Sequence, residues 1–326
     1  MINVAVVGLG HNGLAFCERY HKNNKSNLAA VCDIDGERRQ FAENKFGVKG
    51  YAYDDILNNK SIDLISVHTS DNKHKEPFIR AVEAGFNVFV EKPMADREED
   101  ILEMARLAAK GNKVYMVGHV LRFDRYFQGV KKIIEDGILG DVFYVECDYI
   151  HDLRFQAERE EWKLTDEIPV LGGGCHPIDL LRWYVGDVSE VASFSNNIAF
   201  PQMKHDSSMV TMLKFKNGCI GKVTSLYGCV SKMPERYNLS VFGTKGTIMR
   251  GQISFDGFGH GWMDIPASTD YSHDYMPEID HVLDCIIKNE PALVPPQEAY
   301  RTCMAGLYAE KSAKENKILE VPCFIN

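Results

Sequence analysis

MINVAVVGLGHNG, residues Met1–Gly13, carries a continuous apolar, largely β-branched run, Ile2–Val7, straight into a glycine-rich turn. A strand that is apolar along its whole length belongs inside a parallel sheet covered on both faces. From about Leu14 to Asn23 the pattern turns helical. GxGxxG alone is a weak signal, but between a strand and a helix it has a mechanism. Gly8 permits the tight turn, Gly10 lets backbone approach a pyrophosphate, and Gly13 lets helix and strand pack closely.

The pattern continues outward in the same alternation. Strands are expected at Leu28–Cys32, Asp63–Val67, Asn87–Val90 and Lys113–Val117. Helices are expected at Glu37–Phe46, Lys75–Ala84 and Glu98–Lys110. Such alternation implies a parallel, doubly wound sheet, here a dinucleotide-binding unit over residues 1–120. Asp33 stands about 20 residues beyond Gly13, the separation expected of the acid that binds the adenine ribose hydroxyls. A carboxylate there repels a 2′-phosphate, so NAD is favoured over NADP; Arg38 and Arg39, just beyond, soften that preference.

Open parallel sheets bind ligands beyond the carboxyl ends of their strands. Besides Gly8, Gly10, His11, Asn12 and Gly13 of the first loop, that rule selects Thr69 and His74 after the Asp63–Val67 strand. It also selects Glu91 and Lys92 after Asn87–Val90, and His119 and Arg122 in GHVLRF. On topology alone, Lys92 is either a surface residue at a turn or a group at the nicotinamide side.

Composition narrows the function class. With 326 residues the chain is long enough for two domains. A net charge of -9 argues against nucleic acid, whose binding needs a basic surface. The nine cysteines form neither a CxxC pair nor the Cys/His spacing of a zinc site, and no His/Asp/Glu spacing demands a metal. They read as reduced thiols of a cytoplasmic protein. No basic leader precedes the first strand, and nothing has the length of a membrane span.

After Phe123 the pattern changes. A helix at Arg125–Asp136 is followed by strands with half-buried alternation: Val142–Ile150, Val188–Ala199, Ser208–Phe215, Cys219–Gly228, Tyr237–Gly243 and Thr247–Arg250. Two closing helices span Met276–Asn289 and Gln297–Asn316. Residues 121–326 therefore read as an α+β domain with an open, mainly antiparallel sheet.

Within it lies a second glycine cluster, LGGGCHPIDLLRW, Leu171–Trp183. No strand leads into it, so it is a poor phosphate loop. Pro177 suits the first helical position and Asp179 the first turn. His176 would then stand at a helix tip, where an imidazole suits acid–base work as well as capping or packing. Asp179 either steadies the helix start or orients His176.

GLGHNG, Glu91-Lys92-Pro93, GHVLRF, the HxxD element His176–Asp179, FKNG at Phe215–Gly218 and FGTKGTI at Phe242–Ile248 together resemble the Gfo/Idh/MocA family of oxidoreductases, over essentially the whole chain. The resemblance implies NAD(P)-dependent hydride transfer at a secondary hydroxyl or ketone of a sugar, cyclitol or glycoside. It also implies homodimers or homotetramers built on the exposed sheet face. The family's EKP lysine falls on Lys92, which would polarise or deprotonate the reacting oxygen; the Lys–Pro bond is often cis in the family, aiming that lysine into the cleft. The family histidine falls on His176 as the proton-transfer group. An aspartate usually stands four residues before that histidine, and here the position is Gly172. His151 and Asp152 are candidates to replace it. Trp162 and Lys163, in the loop Arg154–Val170 read as a lid, are candidates to stack on a sugar face and bond hydroxyls. Two rival readings go with the resemblance: a redox-elimination glycosidase that recycles its NAD, and a noncatalytic nucleotide-binding regulator.

Overall fold

The computed structural model describes residues 1–154, 160–230, 237–257, 259, 261–266 and 274–324. The chain forms two compact units, one of residues 1–120 and 274–300, the other of 121–273 and 301–325.

The first unit is built on six parallel strands: β1 Ile2–Val7, β2 Ser26–Cys32, β3 Lys49–Gly50, β4 Leu64–Val67, β5 Asn87–Glu91 and β6 Tyr115–Gly118. Their order is β3-β2-β1-β4-β5-β6, the doubly wound dinucleotide-binding arrangement, with its switch point between β1 and β4. Val4–Val7 and Leu64–Val67 are buried throughout, which is why these strands read as unbroken apolar runs. The crossovers are α1 His11–Lys22, α2 Gly36–Phe46, α3 Tyr53–Asn58, α4 Lys75–Glu83 and α5 Glu98–Lys110. α2 shows how locally its ends are set: Asp35 caps it by accepting from the Glu37 and Arg38 N–H groups, and Gly47 closes it at φ 66°. The sequence pattern did not suggest β3 or α3; both are short and lie in a polar stretch. The helix Met276–Lys288 packs with this unit as well: Tyr275 lies 4.8 Å from the Phe16 ring, and Val117 N–H donates to Val294 O.

The second unit carries nine strands: β7 Val142–Ile150, β8 Val188–Asn196, β9 Ser208–Phe215, β10 Ile220–Leu226, β11 Ser240–Gly243, β12 Gly246–Met249, β13 Gln252–Phe255, β14 Met263–Asp264 and β15 Leu319–Glu320. They run in the order β14-β13-β12-β11-β7-β10-β9-β8-β15. All neighbours are antiparallel except β7 and β10, which pair in parallel. β9 alternates, with Met209, Thr211 and Leu213 buried and Val210, Met212 and Lys214 exposed, so one face carries the core. The three strands absent from the sequence reading, β13 to β15, have two to four residues each, too few for alternation to register. Among the described residues, no helix is long and apolar enough to cross a membrane.

Candidate functional sites in the two units

In the first unit the turn between β1 and α1 has the build its glycines suggest. Gly8 adopts φ +89°, and a β-carbon on Gly13 would lie 1.8 Å from Gly8 O. Gly10, by contrast, faces open space, where backbone can meet a ligand. α1 begins at His11 with no side-chain cap and no acid in its first turn, leaving N–H groups and the positive dipole end for an anion. His11 is exposed and Asn12 half-buried. Asp33, following β2, closes the loop: Oδ2 accepts the Leu9 N–H at 2.6 Å and Oδ1 the Asp35 N–H at 2.9 Å. A carboxylate has about four acceptor positions, so capacity remains for ribose hydroxyls. Arg39 donates to Asp33 O (3.2 Å), while Arg38 is exposed beside Asp35 (3.6 Å). These features fit a bound dinucleotide.

The loops after β4 and β5 are tied together by His74. Its Nδ1 lies 2.8 Å from Pro93 O and its Nε2 3.0 Å from Thr69 O. Burial drives this imidazole down to about 4, against the pull of both carbonyl oxygens. The Lys92–Pro93 bond is cis. Lys92 itself is half-buried, and its backbone N–H donates to Glu91 Oε2 (3.1 Å). Glu91 is buried, and burial raises its carboxyl to about 7 although Lys92 pulls the other way. Glu278, fully buried on the Met276–Lys288 helix, is also pushed up, first by burial and then by the charge of Glu91. Glu91 Oε1 and both Glu278 oxygens have no hydrogen-bond partner among the described residues. Glu278 escaped the sequence reading because a lone acid in a helix reads as a solvated one. Thr69 hydrogen-bonds Lys73 O, and His119 is buried after β6.

In the second unit, the helix around His176 starts earlier than its proline suggested. It spans Cys175–Val185 with Gly174 at its cap. Pro177 is thus the third helical residue, a position that still tolerates a missing N–H because the first turn makes no intrahelical donations. His176 is the second helical residue and only 4% exposed. Its ring stacks toward Tyr149 (6.1 Å, 20°) and meets Tyr237 edge-on (5.9 Å, 77°). The glycines before it hold protein groups rather than a ligand. A β-carbon on Gly172 would strike Glu167 Oε1, one on Gly173 the Tyr149 ring, and one on Gly174 the Val170 backbone. The second cluster is a packing device.

The remaining candidates fall into pairs. Asp179 is buried and receives Arg122 in two bonds, Nε to Oδ2 at 2.7 Å and Nη2 to Oδ1 at 2.8 Å, with Thr302 O–H also donating to Oδ1 (2.9 Å). Asp152 is held by Arg154 through bonds of 2.8 and 2.7 Å, and Arg154 keeps its carboxyl below the usual range. His151 stacks on Tyr149 (5.9 Å). Lys163 lies over the Trp162 ring at 4.4 Å and donates to Glu167 Oε2 at 3.2 Å. Of the loop read as a lid, residues 155–159 lie outside those described.

A doubly wound dinucleotide-binding unit and an open mixed sheet, in one chain, define a two-unit NAD-binding oxidoreductase. The chain belongs to the Gfo/Idh/MocA family: residues 2–119 match the oxidoreductase family with the NAD-binding Rossmann fold, and 127–249 match the GFO/IDH/MocA C-terminal domain. Myo-inositol 2-dehydrogenase of Thermotoga maritima is 24% identical over 341 residues, 98% of each chain. The 2,7-anhydro-N-acetylneuraminate hydratase of Escherichia coli is 27% identical over 257 residues, 76% of this chain and 67% of the relative. The fold matches that of scyllo-inositol dehydrogenase from Lactobacillus casei, solved with NAD(H) and scyllo-inositol. That match has a TM-score of 0.84 at 18% identity, over 98% of this chain and 99% of the other.

Proposed function

We propose that this protein oxidises or reduces a secondary hydroxyl or ketone of a sugar, cyclitol or glycoside, with NAD preferred over NADP. The observation that carries the reading is the joint presence of a dinucleotide loop closed by Asp33 and an imidazole, His176, at a helix tip among tyrosines. The preference for NAD rests on the Asp33 charge, which disfavours a 2′-phosphate. NAD, when bound, supplies or accepts the hydride. Gly8, Gly10, His11, Asn12, Gly13 and Asp33 hold its phosphates and adenine ribose; Thr69, His74, Glu91 and Lys92 serve its nicotinamide side. Lys92 stabilises charge on the reacting oxygen. His176 takes or returns the proton. His119, Arg122, His151, Asp152, Trp162, Lys163 and Asp179 are the substrate-side groups, with Arg122 and Asp179 acting as a mutual brace.

A second reading is favoured by the relative named a hydratase: a net reaction with no change in redox state, the cofactor recycled within each turnover. NADH and NADPH formation across cyclitols, free sugars and glycosides separates the two, with Lys92→Met and His176→Ala alongside. Turnover with NAD that both substitutions suppress supports the dehydrogenase. Conversion of a glycoside or anhydrosugar without net NADH, by protein that releases nucleotide only on denaturation, replaces it with the second reading.

The working form is a homodimer or homotetramer joined through the open face of the second sheet. Phe194 on β8, Val210 and Met212 on β9 and Ile220 on β10 are exposed there, with Phe194 80% exposed. β-register places Phe194 opposite Val210 and Ile220 opposite Lys214. Apolar side chains grouped on one open sheet face are the kind of surface a second copy of the chain would cover. All nine cysteines are free thiols, in keeping with work in the reducing cytoplasm.

A further inference from the structure

A β-carbon built on Gly172 would fall 2.2 Å from Glu167 Oε1 and 2.8 Å from the Tyr227 oxygen. The Glu167 carboxylate therefore fills the space that a side chain at position 172 would need. Glu167 is 4% exposed; Oε1 accepts from Tyr227 O–H at 2.7 Å and Oε2 from Lys163 Nζ at 3.2 Å. Packing alone does not call for an acid here. A glutamine would accept the tyrosine O–H equally well, and an apolar side chain would cover the glycine without the desolvation cost of a buried ion pair. What only a carboxylate brings is negative charge: Oε2 answers the Lys163 ammonium, and Oε1 is laid on the backbone four residues ahead of His176. Bare Gly172 is what lets it come so close.

We propose that Glu167 is the positioning residue of His176: its carboxylate, delivered from nine residues upstream, holds the imidazole in its charged form when it carries the proton. The inference rests on the reading of His176 as the proton-transfer group. Facing Glu167 are Tyr227, at the end of β10, and Lys163, itself beside Glu160 at 3.5 Å. Facing His176 are Tyr149, which also stacks with His151, and Tyr237.

The test follows the His176 ring by NMR in ring-labelled full-length protein, with His176→Gln to assign the signal. Glu167→Gln keeps the acceptor for Tyr227 and removes the charge. The His176 titration then moves to lower pH by about one unit, the scale of a nearby opposite charge, and the matching limb of the pH–kcat profile moves with it. Glu167→Ala with Gly172→Asp puts a carboxylate back from the other residue and returns the titration toward its original position. Gly172→Asp alone forces a collision with Glu167. An unmoved His176 titration in folded Glu167→Gln protein overturns the proposal, even if the protein turns over sugars. A moved titration in a protein that reduces no NAD upholds the coupling and removes the dehydrogenase reading instead.

Discussion

Asp33 Oδ2 accepts the backbone N–H of Leu9 at 2.6 Å, so the acid after β2 also pins the glycine loop after β1. Asp33→Asn removes the charge and leaves an acceptor. Charge-assisted bonds are worth roughly 1.5–3 kcal/mol; on that scale NAD binding weakens by roughly 10- to 100-fold, while NADP loses less or gains. Fluorescence titration with both nucleotides checks the ratio. An unchanged ratio removes Asp33 as the source of selectivity.

The two loop glycines separate folding from binding. Gly13→Ala meets Gly8 O at 1.8 Å and should cost about 1–3 kcal/mol or more, as overpacking does, with a visible fall in Tm. Gly10→Ala meets nothing within 4 Å, so its Tm without nucleotide should stay unchanged while NAD affinity falls. Thermal melts with and without NAD distinguish the two.

The Arg122–Asp179 pair is buried on both sides. Removing one partner strands a charge, so Arg122→Ala should cost about 3–5 kcal/mol, whereas Arg122→Met with Asp179→Leu should recover most of it. Urea denaturation of the three proteins gives the comparison. A double variant as unstable as the single one would show that the pair does more than neutralise itself.

Stability should also respond to pH through Glu91 and Glu278. Both carboxyls are raised on folding, so the native state binds extra protons above the usual carboxylate range. That contribution is complete below about 4.5 and is lost as pH rises through about 7 for Glu91. Buried His68, lowered to about 3, and His74 oppose it, destabilising the fold as pH falls below about 6.5. Glu278→Gln removes one side of the carboxyl pair and leaves the histidines. Its stability relative to the parent should therefore improve from pH 5 to pH 8. A difference that does not vary with pH excludes the shared charge.

If the chain assembles through the open sheet face as proposed, Phe194→Lys with Met212→Lys should give a monomer with its melting curve otherwise preserved, because neither residue supports the core. Sedimentation velocity reads this directly. An unchanged mass would move the interface elsewhere.

What was legible in the sequence was what is local. GLGHNG, Asp33, the EKP turn and the alternation of β9 each announce themselves within a few residues, because turn geometry and strand periodicity act at that range. Pro177 misled by two positions, since proline is tolerated throughout a first turn. Glu167 lies in a stretch where Trp162 and Lys163 are the residues whose chemistry suggests a site. Its meaning lies in filling space above Gly172, which no linear spacing encodes. Asp152, a candidate on sequence for the place of the family aspartate, bonds Arg154 through both of its oxygens.

The helix Met276–Lys288 belongs with the strands of residues 1–120. During synthesis the ribosome therefore releases the whole nucleotide-binding sheet long before the segment that finishes it. Until residues 274–300 emerge, β6 lacks the Val294 carbonyl that the Val117 N–H uses, and Phe16 lacks the cover of Tyr275. The nascent unit must wait with an open strand edge, the condition in which chains pair wrongly. A nonsense mutation anywhere in residues 121–273 would leave that edge exposed for good, so truncated products should be cleared or aggregate rather than persist as free nucleotide-binding domains.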